Sequence, residues 1–242
     1  MHHPGRRVTQ LWRYPVKSLA GEALPQADVT ERGIEGDRSF GLVDVDTGLV
    51  LTARRVPELL FAAPRHAGRA GARPLIQLPD GTATDDDATL SAWLRRRVEL
   101  RAAGPGERGR YEIAENDDRP DGAWRRWEGP EGVFHDSATT QLSIVSEASL
   151  GAWDVRRFRP NVVLSGGDER DLVGRALRLG TVEVEVVKEI TRCVIVTRAQ
   201  PSLERDKDVL VQVHRRRGGT LGVAALVRAT GRVALGDAVA VL

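Results

Sequence analysis

Cys193 is the only cysteine of the 242-residue chain, and it lies in the run Thr191-Arg192-Cys193. A single thiol cannot form a disulfide within the chain, and a zinc site of the usual spacing needs a second cysteine. Three roles remain open for the sulfur: a small buried hydrophobic group, a nucleophile, or one thiolate ligand to a soft metal. The positive charge of Arg192 beside the thiol would favour the thiolate form.

Three other clusters carry polar side chains that suit an anionic ligand: Lys17-Ser18, Asp37-Arg38 and Arg159-Pro160-Asn161. A lysine supplies a point charge, a serine hydroxyl donates a hydrogen bond, and an arginine binds a phosphate with two parallel N–H groups. Taken singly, each cluster also suits an ordinary role. These roles are a solvated turn, an exposed ion pair that contributes about 0–1 kcal/mol, and the first residues of a strand.

Short apolar runs separated by turn residues predict that strands position these clusters. We interpret as strands the residues 40–45 and 49–52 around a turn at 46–48, then 142–145, 161–164, 182–186, and 232–235 and 238–242 around a turn at 236–237. Asp85-Asp86-Asp87 is predicted to cap a helix through Leu94, followed by the arginines at 95–97, and Ser146 to cap a second through Trp153. The predicted fold class is mainly β (α+β), with barrel-like β units and a few short helices.

Residues 102–132 differ from the rest because they are rich in glycine, proline and charged residues. This composition predicts a join with surface loops between two units. We set the N-terminal unit at residues 1–104 and the C-terminal unit at residues 125–242.

The composition restricts the class of protein. Hydrophobic residues at 41% and charged residues at 29% are ordinary for a soluble globular protein. No apolar run approaches the ~18 residues of a membrane span, and residues 1–7 lack the apolar core of a secretory signal. With one cysteine, the chain is expected in a reducing cytoplasm.

Taken together and in this order, the clusters resemble the family of MOSC-domain proteins, which includes the mitochondrial amidoxime-reducing component and its bacterial relatives. The resemblance covers nearly the whole chain and rests on the joint order of several motifs. These are Tyr14-Pro15-Val16-Lys17-Ser18, Gly36-Asp37-Arg38, Thr52-Ala53-Arg54, His135-Asp136-Ser137, Ser146-Glu147-Ala148-Ser149-Leu150, Phe158-Arg159-Pro160-Asn161, Thr191-Arg192-Cys193 and Gly236-Asp237.

The resemblance implies a molybdenum cofactor, a molybdopterin held between an N-terminal β-barrel-like unit and a C-terminal MOSC β-barrel. Cys193 would be the protein thiolate on the metal, where it would hold and tune a soft centre. Asp136 matches an acidic position near the metal and would orient a bound water or substrate. The cofactor would be bound by Lys17, Ser18, Arg38, Arg159, Asn161, Thr191 and Arg192.

The implied activity is that of an oxidoreductase that reduces a small N-hydroxylated or N-oxygenated substrate by oxygen-atom transfer at molybdenum. The sequence has no cysteine-rich segment for an iron–sulfur cluster, so we expect electrons from a separate iron–sulfur protein or flavin reductase. The chain departs from the family at Leu221-Gly222, where members often have an aromatic residue before the glycine. The arginines at 215–217 lie just before and would shape the entrance differently.

Other functions stay open beside this one. A cysteine nucleophile would need a base such as His135 or His214, and a related MOSC protein without molybdenum would carry sulfur as a persulfide on Cys193. A cofactor-free relative would keep the fold as a binding module. Nucleic-acid binding would use the arginine runs at 95–97 and 215–217. The net charge of +2 and the 5% of aromatic residues argue against a nucleic-acid partner, and we expect none, nor any membrane.

Overall fold

The computed structural model describes residues 5–66, 68, 71–114 and 123–242, which are built mainly of β-strands. The strands are β1 (Val8–Arg13), β2 (Glu22–Leu24), β3 (Gln26–Thr30), β4 (Gly33–Ile34), β5 (Phe40–Asp44), β6 (Ala63–Arg65), β7 (Leu75–Gln77), β8 (Ala83–Thr84), β9 (Val98–Ala102), β10 (Arg108–Ala114), β11 (Trp124–Glu131), β12 (Leu142–Ser146), β13 (Val162–Leu164), β14 (Ala176–Leu179), β15 (Val182–Thr191), β16 (Thr220–Ala229), β17 (Gly231–Ala234) and β18 (Val239–Val241). The helices are α1 (Asp87–Leu94), α2 (Glu147–Leu150) and α3 (Asp208–Arg217). The predicted mainly β fold with a few short helices is confirmed.

One large sheet carries the strands in the order β18-β14-β15-β16-β12-β13-β1-β2, and four smaller sheets of two or three strands accompany it. In β15, residues 182, 184 and 186 are buried while 183 and 185 are only half-buried, as the alternating sequence predicts. The buried valines join leucines and isoleucines of the neighbouring strands in one core cluster. This sheet is therefore the rigid frame behind the loops at its strand ends.

The sheets cross the boundary between the two units that the sequence predicts. β1 pairs with β13, and β3 pairs with β17, so strands from the start of the chain complete sheets formed near its end. The limits at 1–104 and 125–242 stay a prediction about sequence units. The hydrogen bonds between strands do not separate the two units, because both units contribute strands to the same sheets.

Local predictions succeeded where capping and turn chemistry decide the backbone. Asp86 caps α1 by accepting from Thr89 N at 2.8 Å, and the helix ends at Leu94 as predicted. The turn at 46–48 is present, with Gly48 at φ +66°. The predicted strand at 49–52 is not formed, although Leu51 N donates to Leu42 O of β5 and Val50 makes an isolated bridge to Val43. Strands β17 and β18 flank the turn at 236–237 but pair with β3 and β14 instead of each other.

Two local predictions were wrong in extent, and one helix was missed. Ser146 caps α2, but the helix ends at Leu150, because Gly151 terminates it before Trp153. Much of the predicted surface-loop segment at 102–132 is a hairpin of β10 and β11, and residues 115–122 within it lie outside the described residues. Helix α3 was not predicted, and the arginines at 215–217 form its last turn. No helix in the described ranges is long and apolar enough to cross a membrane.

Candidate functional site

A cleft of about 380 Å³ lies where loops from both ends of the chain meet beside the large sheet. It brings together the residues that the resemblance assigns to the metal, the cofactor and the substrate: Lys17, Ser18, Arg38, Asp136, Arg159, Asn161, Thr191, Arg192 and Cys193. These residues follow β1, β4, β11 and β15 or precede β13, so each is held at the end of a strand. Such loop sites on a rigid scaffold are typical of binding and catalysis.

Backbone hydrogen bonds tie the first two loops of the cleft to each other. Lys17 N donates to Phe40 O at 2.8 Å, and Arg38 N donates to Tyr14 O at 2.7 Å. Ser18 has a left-handed backbone (φ +68°), and its hydroxyl accepts from Ala53 N at 3.1 Å. The strained turn at Ser18 is therefore held by a third loop, which starts at Thr52.

Asn161 lines the cleft, but its amide is already used inside the protein. Its Oδ1 accepts from the backbone N and the hydroxyl of Ser143 at 3.1 and 3.0 Å, and its Nδ2 donates to Trp12 O at 3.2 Å. These bonds join β12 and β1 to the loop before β13. The contacts make Asn161 a residue that shapes the wall of the cleft; its predicted contact with a cofactor stays a prediction.

Lys17 and Asp136 form an ion pair across the cleft, with Nζ 2.6 Å from Oδ1. The lysine side chain is only 6% exposed, whereas the aspartate side chain is 58% exposed. Burial lowers the pKa of Lys17, although Asp136 opposes this. Desolvation would raise the pKa of Asp136, but Lys17 and then Arg54 lower it well below its usual range, so Asp136 is a carboxylate at neutral pH.

Arg38 and Arg159 both lie over the ring of Tyr14, with their Cζ atoms 4.8 and 4.3 Å from its centroid. Arg38 is also paired with Asp37 and donates to Arg159 O at 3.4 Å. Among the described residues the guanidinium of Arg159 has no hydrogen bond or ion pair. Burial lowers the pKa of Arg159 to about 10, which still leaves it charged at neutral pH.

The sulfur of Cys193 is half-buried in the wall of the cleft, and Arg54 Nε donates to it over 3.4 Å. The sequence predicts that the charge of Arg192 favours the thiolate, and Cys193 is indeed among the causes that raise the pKa of Arg192 against its burial, but no N–H of Arg192 donates to the sulfur among the described residues. Arg192 donates instead to Leu221 O at 2.6 Å and to Phe158 O at 2.9 Å, bonds that hold the end of β15 against β16. The cation that contacts the thiol therefore comes from a loop 139 positions away.

Positive charge dominates the lining of the cleft. Seven of its residues are lysine or arginine and two are aspartate or glutamate, against a net charge of only +2 for the whole chain. Two lining side chains also carry buried polar atoms without a hydrogen-bond partner among the described residues, His135 Nε2 and Arg192 Nη2. The excess of lysine and arginine indicates a ligand with negative charge. The two unpartnered atoms are shielded from the open cleft, so they do not identify the ligand.

Arg54, Arg157 and His135 are among the lining residues that were not predicted as members of the site. Arg54 was noted only as part of a motif, and nothing in its sequence surroundings indicates a contact with Cys193. Arg157 donates to the carbonyl oxygens of Val196 and Glu204 at 3.3 and 2.8 Å, and so anchors the segment after Cys193. His135 was considered only as a base. The arginines at 215–217, expected at the entrance, are not among the described residues that line the cleft.

His135 is a poor base for a cysteine nucleophile. Its side chain is 6% exposed, and Nε2 lies 3.8 Å from Asp37 Oδ2. Burial and then the charge of Arg38 lower the pKa of His135 to about 3. A general base works best with a pKa near the operating pH, so this imidazole accepts a proton weakly at neutral pH. His214, on α3, is not among the described lining residues.

The depressed pKa of His135 predicts a loss of stability in mild acid. Between about pH 6.5, its unfolded pKa, and pH 3, the unfolded chain binds a proton that the folded protein excludes, so the free energy of unfolding falls as the pH falls. His135→Gln is expected to flatten this decline between pH 6.5 and pH 4 in urea unfolding series. His66→Gln is the comparison: burial lowers the pKa of His66 as well, but His66 is less buried, so this change should flatten the decline less. An unchanged slope for His135→Gln would contradict the assignment.

Two family models match consecutive parts of the chain. Residues 5–101 match the MOSC N-terminal beta barrel domain, and residues 131–240 match the MOSC domain. Molybdenum cofactor sulfurase of Drosophila grimshawi is 27% identical over 270 residues, which covers 98% of this chain and 34% of that protein. Mitochondrial amidoxime-reducing component 1 of Homo sapiens is 28% identical over 222 residues, which covers 78% of this chain and 65% of that protein.

The YUAD protein from Bacillus subtilis, a solved structure, has a TM-score of 0.44 and 14% identity over 98% of this chain and 95% of that chain. The chain spans about a third of the length of the sulfurase and just under two thirds of the length of the amidoxime-reducing component.

Proposed function

Because the chain belongs to the MOSC-domain family, we propose that it binds a molybdenum–molybdopterin cofactor in the cleft and reduces small N-hydroxylated or N-oxygenated compounds. One observation carries this proposal: the only cysteine of the chain lines the same cationic cleft as Lys17, Arg38 and Arg159. A soft thiolate beside a basic, polar cavity suits a soft metal that arrives on a phosphate-bearing organic ligand.

The residues of the cleft fit such a group in two respects. Its phosphate would be met by the lysine and arginine side chains that line the cleft. The metal is met by one thiolate. No group of three or more metal-ligating side chains occurs in the described part of the chain, so a metal in this cleft takes its other ligands from the cofactor.

Each side chain then has a defined task. Cys193 Sγ provides the protein ligand, and Arg54 Nε, by donating to that sulfur, orients it and moderates its charge. Lys17, Arg38 and Arg159 hold the phosphate and the pterin. Thr191, Arg192 and Ser18 complete the wall, and Asn161 fixes its shape. When bound, the cofactor supplies the two-electron redox chemistry of the metal.

The reaction breaks the N–O bond of the substrate. Two electrons from a separate donor protein and two protons from solvent are consumed, the oxygen leaves as water, and the nitrogen keeps an N–H in place of N–OH. Asp136, ionised and exposed at the open side of the cleft, accepts a hydrogen bond from the hydroxyl of the substrate and orients it. The single unpaired thiol suits a reducing compartment such as the cytoplasm.

The test uses the full chain produced in a host that makes the cofactor. We expect about one molybdenum per chain by elemental analysis, the fluorescence of oxidised pterin after denaturation, and reduction of benzamidoxime with a chemically reduced viologen dye. Protein without molybdenum or pterin would rule out the cofactor. Loaded protein that reduces no hydroxylamine, amidoxime or hydroxamic acid would rule out the reaction.

The same sample also tests the sulfur-carrier alternative. A persulfide on Cys193 would add the mass of one sulfur atom to the intact protein, and a reductant would remove it. Mass spectrometry of the metal-free fraction therefore separates a sulfur carrier from a reductase that has lost its cofactor.

A further inference from the structure

Tyr14 is almost completely buried, yet it has no place in the chemistry described so far. The residue is 1% exposed, and its ring lies beneath two lining residues of the cleft, Arg38 and Arg159. Its hydroxyl donates to Pro160 O at 3.1 Å, and its backbone N donates to Asp37 Oδ1 at 2.7 Å. The ring is therefore fixed on one side by the loop that carries Arg38 and on the other by the loop that carries Arg159.

The two arginines over this ring have strained backbones. Arg38 has φ +49° and Arg159 has φ +53°, in the left-handed region that costs a residue with a side chain about 1–2 kcal/mol. Such strain persists only where the surrounding structure enforces it, and it is concentrated at binding sites. Both backbones are thus held in a conformation that places two guanidinium groups at one ring.

Bringing these guanidinium groups together is unfavourable unless something compensates. The charge of Arg38 is one of the causes that lower the pKa of Arg159, after burial. Asp37 offsets the charge of Arg38 through a direct ion pair, whereas Arg159 makes no direct ion pair among the described residues and feels Asp37 and Asp136 only at longer range. The negative face of the Tyr14 ring is the group that both cations share.

We propose that Tyr14 is a positioning residue, whose ring holds Arg38 and Arg159 as a preformed clamp for an oxyanion of the phosphate class. The ring attracts both cations without accepting their N–H groups. The guanidinium of Arg159, and the N–H groups of Arg38 that Asp37 and Arg159 O do not use, therefore remain available to the oxygens of the ligand. A preformed clamp avoids the entropy cost of ordering two long side chains when the anion binds. The identity of the anion as the phosphate of the cofactor rests on the proposed function; the clamp itself does not.

The experiment reduces the negative charge on the face of the Tyr14 ring while keeping the size of the ring nearly unchanged. Tyr14→Phe removes the hydroxyl bond to Pro160, and fluorinated phenylalanines at the same position then progressively remove the negative face of the ring. Inorganic phosphate and pyrophosphate are titrated by calorimetry into full-length protein made in a host without the cofactor. We expect Tyr14→Phe to bind them nearly as wild type does, and the most fluorinated analogue to bind at least about tenfold more weakly.

The outcomes separate positioning from simple structural support. Leu90→Ala, which creates a cavity in the core beside α1, is the control for lost stability, since Leu90 is not a lining residue. The proposal would be overturned if all Tyr14 variants bound phosphate with the same affinity. It would also be overturned if Leu90→Ala, at the same stability, weakened phosphate binding as much as the most fluorinated analogue does. So would a wild-type protein that binds neither anion. If the fluorinated variants also retain less pterin in the cofactor-making host, the clamp serves the cofactor; if only phosphate binding changes, it serves free phosphate. A loaded enzyme without reductase activity would overturn the proposed function but not the clamp.

Discussion

Cys193→Ser is expected to abolish molybdenum retention and reductase activity while leaving the fold intact. The thiol is the only soft ligand that the cleft contributes, and a serine hydroxyl is a hard, protonated replacement. Loss of a group that only supports a metal ligand lowers metal affinity or activity about 10–100-fold. Loss of the ligand itself should therefore reduce activity at least about 100-fold. The side chain is half-buried and the change is small, so the free energy of unfolding should change by about 1 kcal/mol at most.

The measurements are elemental analysis, pterin fluorescence and urea unfolding of protein from the cofactor-making host. A matched control returns one thiol to the chain outside the cleft, by combining Cys193→Ser with Ser202→Cys. Ser202 is exposed and does not line the cleft, so the double variant should not regain molybdenum. Wild-type molybdenum content in Cys193→Ser would remove the ligand role, and restoration by the second thiol would show that its position does not matter.

Glu169→Ala is expected to destabilise the fold more than any exposed ion pair does. The residue is 0% exposed; its Oε2 accepts from Ser146 N and Oγ at 3.0 and 2.6 Å, and its Oε1 from Gly222 N and Arg217 Nη2 at 2.8 and 3.0 Å. Burial would raise the pKa of Glu169, but these hydrogen bonds, led by that of Ser146, lower it. Removing the carboxylate leaves three donors, Ser146 N, Ser146 Oγ and Gly222 N, without this acceptor, while Arg217 keeps its ion pair with Asp168. The loss of these buried hydrogen bonds costs about 3–5 kcal/mol.

Glu183→Ala provides the matched comparison for this substitution. Glu183 pairs with Arg178 at 2.8 Å on the face of the sheet, and both side chains are substantially exposed, so its loss should cost about 0–1 kcal/mol. Chemical unfolding of the two variants measures the difference directly. If Glu169→Ala is no less stable than Glu183→Ala, the buried network does not support the sheet. Because the pKa of Glu169 is lowered, its contribution to the free energy of unfolding is fully present above the unfolded pKa of about 4.3. This contribution is lost as the pH falls through the pKa of the folded protein.

The network around Glu169 also reaches the cleft. Gly222, whose backbone N–H binds Glu169, has φ +82°, and a side chain there would meet Arg192 Nη2 at 2.8 Å and Ile144 O at 3.0 Å. Glycine is therefore required at this position, both for its backbone and for the space that Arg192 occupies. The residue before it, Leu221, stands where relatives often carry an aromatic side chain, and its backbone oxygen anchors Arg192.

Prediction from the sequence worked where short-range chemistry decides the structure. The cap at Asp86, the turn at 46–48 and the alternation in β15 depend on residues close in the chain, and each was found as expected. Helix α3 was missed because only Val209 and Val213 of its apolar residues are buried and its last turn is a run of arginines. The hairpin of β10 and β11 was missed because glycine and charge hide its alternation; Tyr111 is buried while its neighbours face outward.

The sequence by itself determined which chemistry is available: one thiol, a few lysines in polar motifs, and arginines beside prolines and glycines that favour turns. Only the tertiary structure decided which of them act together. Lys17 meets Asp136 across 119 positions, and Arg54 meets Cys193 across 139. The physical reason is that these contacts depend on which strands pair and in what register. A side chain's type and its near neighbours do not specify that pairing; the burial of apolar faces across the whole sheet does.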